Sequence, residues 1–272
     1  MALFDFLRRS PRQPSRPERI GLVLGGGGVR GAAHLGVLAV LEEAGIRPDV
    51  IAGTSVGSII GACHCAGLSV DEMRDTMRSL KWGDLTRLAW GSKLAILDTS
   101  PLLRFIDEAI GGRDFDELDR PFAAVACDIL TGRKVVIREG SVAEAVIASS
   151  AVPGVFPPRE RGEYLLIDGG AVANLPIRVA RDMGADYVIG VDIIPPLDGS
   201  RRPEDIKDIL LMTFDIRGRT TQVADEDAAD VLISPLLTGM PPWDFDLVDE
   251  MEELGRAATE KVLPGLLSDL GR

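Results

Sequence analysis

The chain has 272 residues, of which 46% are hydrophobic, and its 30 Lys and Arg against 42 Asp and Glu give a net charge of −12. This length and composition suit one main domain, and the negative charge argues against a nucleic-acid partner. The three scattered cysteines argue against a disulfide framework and indicate a reducing compartment, so we expect a cytoplasmic protein.

Residues 1–19 are basic and rich in proline, and we interpret them as a flexible leader. Its apolar start is too short and too soon interrupted by charge for a signal peptide, and no run of the chain approaches transmembrane length. The alternative is a weak membrane-surface anchor, which would place the protein at the inner membrane surface. The inserting side chains would be Leu3, Phe4, Phe6 and Leu7.

A glycine-rich loop follows the first predicted strand. Residues 19–24 are an apolar run typical of a buried strand, and residues 32–44 carry apolar residues at helical spacing until Gly45. Backbone amides in such a loop are not covered by side chains, so the loop is suited to hold an anion. The loop consists of Gly25, Gly26, Gly27, Gly28, Val29, Arg30 and Gly31.

Two kinds of anion compete for this loop. Gly26, Gly28 and Gly31 match the spacing of a dinucleotide fingerprint, but the end of the second strand lacks the acidic residue that would bind a ribose. Asp49 lies at the other end of that strand, and the lysine of a P-loop is missing. The second candidate is the oxyanion of a tetrahedral intermediate formed on a nearby serine. We therefore expect no cofactor.

The second strand leads into the turn that organises the chain. Residues 50–52 predict a strand, the five residues from Gly53 to Gly57 match G-x-S-x-G, and a helical pattern follows. Such a turn is a nucleophile elbow, and Gly53 and Gly57 are needed because a Cβ there would meet the neighbouring strand or helix. We predict that Ser55 is the nucleophile, at the positive end of the helix, with an ordinary glycine turn as the alternative.

The adjacent residues Cys63, His64 and Cys65 resemble metal ligands in type. Neighbouring positions on a helix point in different directions, and the chain has no second cluster of cysteine or histidine. We therefore expect no metal site.

Residues 81–119 predict a cap or insertion over the site, because Trp82, Trp90 and other apolar residues alternate there with charges. Exposed apolar groups would suit an acyl chain, and tryptophans that pack a small helical subdomain are the alternative. Patterns on either side predict helices over residues 58–66, 70–80, 101–110 and 141–149, a hairpin over residues 122–138, and an irregular loop over residues 150–158.

The run from residue 164 to 167 predicts a strand that ends in Asp168, Gly169 and Gly170. An acid followed by two glycines is a turn in most proteins, so the motif alone is weak evidence for catalysis. It becomes informative when the acid is paired with the serine. Further patterns complete an alternating α/β chain, with helices over residues 176–183, 204–221 and 247–267 and strands over residues 187–192 and 231–233.

A serine hydroxyl needs a base within reach. The only histidines, His34 and His64, precede every candidate acid, which excludes a Ser-His-Asp triad in the usual elbow order. A carboxylate must then be the base, and partial burial would raise its pKa into a useful range. We rank Asp168 above the other acids at strand ends, Asp128 and Asp192.

The glycine loop, the elbow and the Asp-Gly-Gly turn in this order resemble the patatin-like phospholipases, specifically their compact bacterial members. The matching blocks are residues 25–31, 53–57, 148–158 and 168–170. The resemblance implies a three-layer α/β/α sandwich with a mostly parallel central sheet over residues 20–272. It also implies a Ser-Asp dyad, with Ser55 as nucleophile, Asp168 as base, and an oxyanion hole from amides around Gly26, Gly27 and Gly28.

The resemblance further implies cleavage of carboxylic esters of lipids, as by a phospholipase A or lysophospholipase, through an acyl-serine. Arg30 would either contact a substrate phosphate or fix the loop through backbone carbonyls. The plant members begin the loop with aspartate, where this chain has Gly25. A general carboxylesterase or thioesterase, and a regulatory binding protein with weak turnover, are the alternatives.

Overall fold

A computed structural model describes residues 17–197, 199, 202–204, 206–226 and 228–272 of the chain. The leader predicted over residues 1–19 lies outside the described residues except for its last three, so its flexibility and membrane contact stay predictions. Its described end is attached to the domain, because the backbone N–H groups of Glu18 and Arg19 donate to the Asp186 carboxylate, both at 2.9 Å.

The described strands and helices follow the alternating order that the sequence predicts. In chain order the strands are β1 (Ile20–Leu24), β2 (Val50–Thr54), β3 (Arg87–Leu88), β4 (Leu97–Asp98), β5 (Phe122–Asp128), β6 (Arg133–Ile137), β7 (Arg159–Arg161), β8 (Tyr164–Asp168), β9 (Tyr187–Val191) and β10 (Val231–Ile233). The α-helices are α1 (Ala32–Glu43), α2 (Val56–Cys65), α3 (Val70–Ser79), α4 (Trp82–Leu85), α5 (Ser100–Ile110), α6 (Val142–Ser149), α7 (Ile177–Asp182), α8 (Ile206–Glu226) and α9 (Val248–Asp269).

The central sheet is mixed but mostly parallel. Its order is β10-β9-β1-β2-β5-β8-β7, with β6 also paired to β5. Strands β10, β9, β1, β2 and β5 are mutually parallel, whereas β6 and β8 are antiparallel to β5 and β7 is antiparallel to β8. Leu24 at the end of β1 is level with Gly53 on one side and Val191 on the other. The register therefore places the glycine loop beside the elbow.

Helices cover both faces of the sheet, which is why β1, β2, β5 and β9 are buried along their whole length. Leu22 and Leu24 point into the larger core with α1, α2, α6 and α9, while Val23 points into a second core with α7. The predicted three-layer α/β/α sandwich with a mostly parallel sheet is confirmed.

Several elements were not apparent from the sequence pattern. In the cap region from residue 81 to 119, α5 matches the helix predicted over residues 101–110, whereas α4 and the small hairpin of β3 and β4 are too short to show a period. Strand β7 is a three-residue edge strand of charged residues, so it lacks an apolar pattern. Helix α8 spans Ile206–Glu226, which is longer than the predicted run.

Helices α1 and α9 pack with their backbones in contact. A Cβ at Gly36 would lie 2.0 Å from the Glu252 carbonyl oxygen, and a Cβ at Gly255 would lie 2.0 Å from the Ala33 carbonyl oxygen. A side chain at either position would force the helices apart, so this pair of glycines sets how closely α9 covers the first helix.

Candidate active site

The predicted nucleophile lies on a strained turn between β2 and α2. Ser55 has φ 54° and ψ −128° and is the only non-glycine residue with a positive φ in the described part of the chain. Its N–H donates to the Ser149 Oγ at 2.9 Å, and that hydroxyl donates to the Val125 carbonyl at 2.6 Å. Sequence reasoning missed Ser149, which ties the elbow to α6 and β5 and holds the conformation.

Two glycines flank the elbow, and each lies against backbone. A Cβ at Gly53 would be 2.5 Å from the Gly57 carbonyl oxygen, and a Cβ at Gly57 would be 2.1 Å from the Leu24 carbonyl oxygen. These distances are far below a normal contact, and the opposing atoms are backbone atoms that cannot rotate away. The close approach lets the end of β1, and with it the glycine loop, lie directly against the turn.

The strain at Ser55 predicts an unusual ranking of two inactive variants. Both Ser55→Ala and Ser55→Gly lack the hydroxyl, but only glycine adopts this φ without steric cost. Strain of about 1–3 kcal/mol exceeds the extra unfolded-state entropy of glycine, so we expect Ser55→Gly to be more stable by about 1 kcal/mol. Urea unfolding of the two variants measures the difference. Greater stability of the alanine variant would show that the elbow is not strained.

The predicted base lies at the end of β8. Asp168 is 1% exposed, and its Oδ1 accepts from the Gly170 N–H at 2.8 Å. Oδ2 is buried and has no hydrogen-bond partner among the described residues. Burial raises the pKa of Asp168 to about 7, although the Gly170 N–H and the Ser55 hydroxyl partly offset the increase. The pKa of this carboxyl group therefore lies much closer to neutral pH than that of an ordinary aspartate, as suits a general base.

The two competing acids occupy different surroundings. Asp128 accepts from the Thr131 hydroxyl at 2.6 Å, which lowers the pKa of its carboxyl group below the usual range. Asp192 accepts from the Ile194 N–H at 2.9 Å. Neither lines the cavity that contains Ser55, whereas Asp168 does.

The glycine loop has both engaged and unengaged amides. The N–H groups of Gly25 and Gly26 donate to the Val191 and Asn174 carbonyls at 3.0 and 3.3 Å. The N–H groups of Gly27 and Gly28 donate to no described residue, and both glycines line the cavity with Ser55. Of the three amides predicted for the oxyanion hole, these two are available for a ligand.

Asn174, which sequence reasoning missed, holds the glycine loop against the acid turn. It is buried, its Nδ2 donates to the Gly26 carbonyl at 3.3 Å, and its own carbonyl accepts from the Gly26 N–H. The only signal in the sequence was a polar residue four positions beyond Gly170, inside an otherwise apolar run.

The last two positions of the loop are structural. Arg30 is 2% exposed, its Nε donates to the Met240 carbonyl at 2.9 Å, and its Nη1 pairs with Asp215 at 3.1 Å. This geometry corresponds to the second alternative considered for Arg30, in which the side chain fixes the loop. A Cβ at Gly31 would lie 2.3 Å from Val56, so Gly31 lets α1 begin close to the elbow.

Both histidines are buried and lie outside the cavity lining. His34 Nε2 donates to the Gly25 carbonyl at 2.9 Å, so this ring supports the glycine loop. Burial lowers the pKa of His34 to about 4, and burial with the positive charge of Arg120 lowers the pKa of His64 to about 4. Both rings are neutral at pH 7.

These lowered values predict acid sensitivity of the fold. In the unfolded chain, a histidine with a pKa near 6.5 binds a proton that the buried ring of the folded protein does not bind. The free energy of unfolding therefore falls as pH drops from 6.5 towards 4. Each ring contributes up to about 3 kcal/mol of this loss. We expect His64→Gln to flatten the curve of unfolding free energy against pH by this amount. Identical slopes for wild type and variant, from urea titrations between pH 4.5 and 7.5, would contradict the assignment.

Ser55, Asp168 and the free glycine amides line one cavity of about 460 Å³. This volume lies within the range of ligand sites. The remaining lining is mostly apolar and comes from many elements. Representative side chains are Ile59, Met77, Leu97, Phe105, Val155 and Phe214. Leu97 and Phe105 belong to residues 81–119, so part of the predicted cap borders the cavity, and the arrangement can hold an extended apolar group next to a hydroxyl and a carboxyl.

The described residues include no cluster of three or more His, Cys, Asp or Glu placed to hold a metal ion. In the same part of the chain, no helix combines the length and the apolar character needed to cross a membrane.

Comparison with known sequences identifies relatives over most of the chain. An uncharacterized NTE family protein of Mycobacterium tuberculosis H37Rv is 30% identical over 271 residues, covering 90% of this chain and 46% of the relative. Mouse patatin-like phospholipase domain-containing protein 6 is 36% identical over 183 residues, covering 64% of this chain and 13% of the relative. The chain thus spans less than half the length of either relative.

Solved structures share the fold at low sequence identity. VipD from Legionella pneumophila superposes with a TM-score of 0.57 at 13% identity, covering 92% of this chain and 67% of VipD. ExoU in complex with SpcU from Pseudomonas aeruginosa gives 0.52 at 19% identity, covering 95% of this chain and 53% of that one. The family model for patatin-like phospholipases matches residues 22–181, which include the glycine loop, the elbow and the acid turn. The chain belongs to the patatin-like phospholipase family.

Proposed function

We propose that this protein is a serine acyl hydrolase that cleaves carboxylic esters of lipids, in the manner of a phospholipase A or lysophospholipase. One observation carries the proposal: a strained serine, a buried carboxyl group and two unengaged amides line the same apolar cavity. Membership of the patatin-like phospholipase family supports a lipid-hydrolysing enzyme. The size and apolar lining of the cavity favour an acyl chain over a small polar ester.

Catalysis would proceed through an acyl-serine. Asp168 takes the proton of Ser55, whose Oγ attacks the ester carbonyl, and the proton then passes to the leaving alcohol. Asp168 next accepts a proton from the water that attacks the acyl-serine, and it returns this proton to the Ser55 Oγ as the fatty acid is released.

The oxyanion would be held by the N–H groups of Gly27 and Gly28. Each donor of this type is worth about 2.7–4 kcal/mol in comparable sites. The N terminus of α2 adds a positive potential at the same place. His34 and Asn174 would act indirectly, because they fix the loop rather than touch the substrate.

We also propose a cytoplasmic location, and the state of the three cysteines supports it. Cys63, which lines the cavity, and the other two cysteines are all free and buried, so none forms a disulfide in the described chain. Free thiols are the usual state in a reducing compartment.

The proposal is tested by active-site labelling with a fluorescent alkyl fluorophosphonate, followed by mapping of the labelled residue. We expect the label on Ser55 in the wild type and its loss in Ser55→Ala. Ser150→Ala is the matched control, because this buried serine lines the same cavity, and the variant should keep its labelling.

Hydrolysis of p-nitrophenyl esters should rise with chain length, and hydrolysis of phosphatidylcholine or lysophosphatidylcholine should release fatty acid. Lack of labelling and of turnover in the wild type would favour a binding protein, while a preference for the shortest esters would favour a general esterase.

A further inference from the structure

Six of the thirteen large exposed apolar side chains among the described residues lie on the β3–β4 hairpin and near the start of α8. The β3–β4 hairpin carries four of them, including Trp90, which is 90% exposed, and α8 carries two more close to its start. We call this set the apolar rim, and it consists of Leu88, Trp90, Leu94, Ile96, Ile209 and Leu210. The loops at the opposite edge of the sheet, residues 44–49, 111–121 and 183–186, expose no large apolar side chain. A cluster of exposed apolar side chains of this kind marks an interaction surface.

The two parts of the rim are contiguous. Ala95 of the hairpin pairs with Gly154, and the Leu97 N–H donates to the Val155 carbonyl at 2.9 Å. On the other side, a Cβ at Gly154 would lie 3.6 Å from Leu210 Cδ1. The hairpin and α8 therefore meet across the loop that contains Gly154.

The rim borders the cavity that contains Ser55. Leu97 follows the exposed Ile96, and Leu211 follows the exposed Leu210, and both Leu97 and Leu211 line the cavity. In the hairpin and in α8, one residue is thus exposed to solvent and the next residue lines the cavity. Apolar surface is continuous from the outside of the molecule to the candidate catalytic groups.

The charge of the hairpin differs from that of the chain. The protein carries a net charge of −12, whereas the hairpin, residues 87–98, contains two basic residues and one acidic residue. Arg87 pairs with Asp98 at 2.7 Å, whereas Lys93 is exposed and lies three residues after Trp90 in the chain. A tryptophan beside a lysine is the combination that settles at a membrane interface, with the ring among the headgroups and the ammonium near phosphate.

We propose that the apolar rim docks the protein onto a lipid bilayer containing anionic headgroups, so that an ester lipid enters the cavity directly from the membrane. The proposal rests on the proposed function and names the surface that presents its substrate. Its main support is continuity with the cavity, because a protein partner on the rim would obstruct the opening that a substrate needs. Trp90, Leu94 and Lys93 would be the principal contacts.

The test is vesicle co-sedimentation of the full chain, with Ser55→Ala in every sample so that hydrolysis cannot alter the vesicles. Vesicles of phosphatidylcholine with phosphatidylglycerol are compared with phosphatidylcholine alone. We expect the double variant Trp90→Ala/Leu94→Ser to bind at least about tenfold more weakly to both. Lys93→Glu should bind roughly fivefold or more weakly to the anionic vesicles only. Lys261→Glu, an exposed lysine on α9, is the matched control and should bind as the parent does.

Two further readouts complete the test. Binding should shift the tryptophan emission to shorter wavelength, and Trp90→Phe should remove most of that shift while it keeps the affinity. Thermal midpoints of the variants should stay within about 2 °C of the parent, because the altered side chains are exposed. A vesicle affinity that the rim variants leave unchanged would overturn the proposal, and so would absence of binding by the parent. Concentration-dependent self-association that the double variant abolishes would instead identify the rim as an interface between copies.

The docking proposal and the proposed function can fail separately. Hydrolysis of a monomeric short-chain ester by the wild type tests the catalytic groups without any membrane. Turnover of that ester without vesicle binding would overturn only the docking proposal. Rim-dependent binding without any turnover would overturn only the proposed hydrolase function.

Discussion

Asp168→Asn is expected to lower kcat/KM for a carboxylic ester by about 10²–10⁴-fold while it makes the protein more stable at pH 8. The amide cannot accept the Ser55 proton, which explains the loss of rate. It also removes a buried carboxylate whose Oδ2 lacks a partner among the described residues, which explains the gain in stability. The loss of rate tests the role of Asp168 as the base, and the gain in stability tests the burial of its carboxyl group.

The sign of the stability effect follows from the raised pKa. The folded protein holds the Asp168 proton up to a pH of about 7, whereas an unfolded aspartate releases it near pH 3.8. Wild-type stability therefore falls as pH rises through this window, and the whole loss is present above it. We expect Asp168→Asn to exceed the wild type by about 2–4 kcal/mol at pH 8, with the difference vanishing near pH 4.

The control for this prediction is Asp128→Asn. That carboxylate accepts hydrogen bonds from the Thr131 hydroxyl and the Leu165 N–H, and its pKa lies below the usual range. Its replacement should lower stability at pH 8, the opposite direction. Urea unfolding at pH 4.5 and pH 8 measures both variants. The rate of ester hydrolysis should show an acidic limb near pH 7, and a limb near pH 4 would assign the base to a different group.

Gly57→Ala is expected to cost more than about 3 kcal/mol of folding stability and to abolish ester hydrolysis. The new Cβ would lie 2.1 Å from the Leu24 carbonyl oxygen and 2.6 Å from the Gly25 carbonyl oxygen. Both atoms belong to backbone held in the sheet or the glycine loop, so the clash cannot be relieved by a rotamer change. The loop would move away from Ser55, and the oxyanion would lose its donors.

Gly83→Ala provides the matched comparison, because no atom lies within 4 Å of a Cβ at that helical position. This change should be neutral or slightly stabilising, since alanine favours helix over glycine by about 1 kcal/mol. Unfolding free energies and initial rates should separate the two alanine variants clearly. Similar values for both would mean that the elbow and the loop tolerate being spread apart.

Sequence patterns predicted the fold where long apolar runs repeat. The buried strands β1, β2, β5 and β9 and the helices between them produce strong local signals, because each is fully covered by the opposite layer. The short cap hairpin and β7 gave no such signal. The contact of Gly36 with α9 was invisible for another reason, since it joins residues more than two hundred positions apart.

The candidate site was predicted in part. Ser55 and Asp168 stand in recognisable turns, and the histidine count pointed to a carboxylate, so these groups follow from local sequence. The residues that hold Ser55 and Asp168 in place do not follow from local sequence. Ser149, Asn174 and the pairing of Arg30 with Asp215 act through tertiary contacts, which a single sequence does not record. That Ser55 and Asp168 act as a dyad stays a prediction.

The packing of α9 on α1 has a consequence for synthesis on the ribosome. Translation makes the elbow and the glycine loop early, yet α9 and the Met240 and Pro242 carbonyls that bind Arg30 and Val29 arrive near the other end of the described chain. A nascent chain would thus carry its serine nucleophile without an anchored loop to stabilise the oxyanion. Under the proposed function, we expect a nascent chain that still lacks Met240, Pro242 and α9 to show no lipolysis, because its glycine loop is not yet anchored.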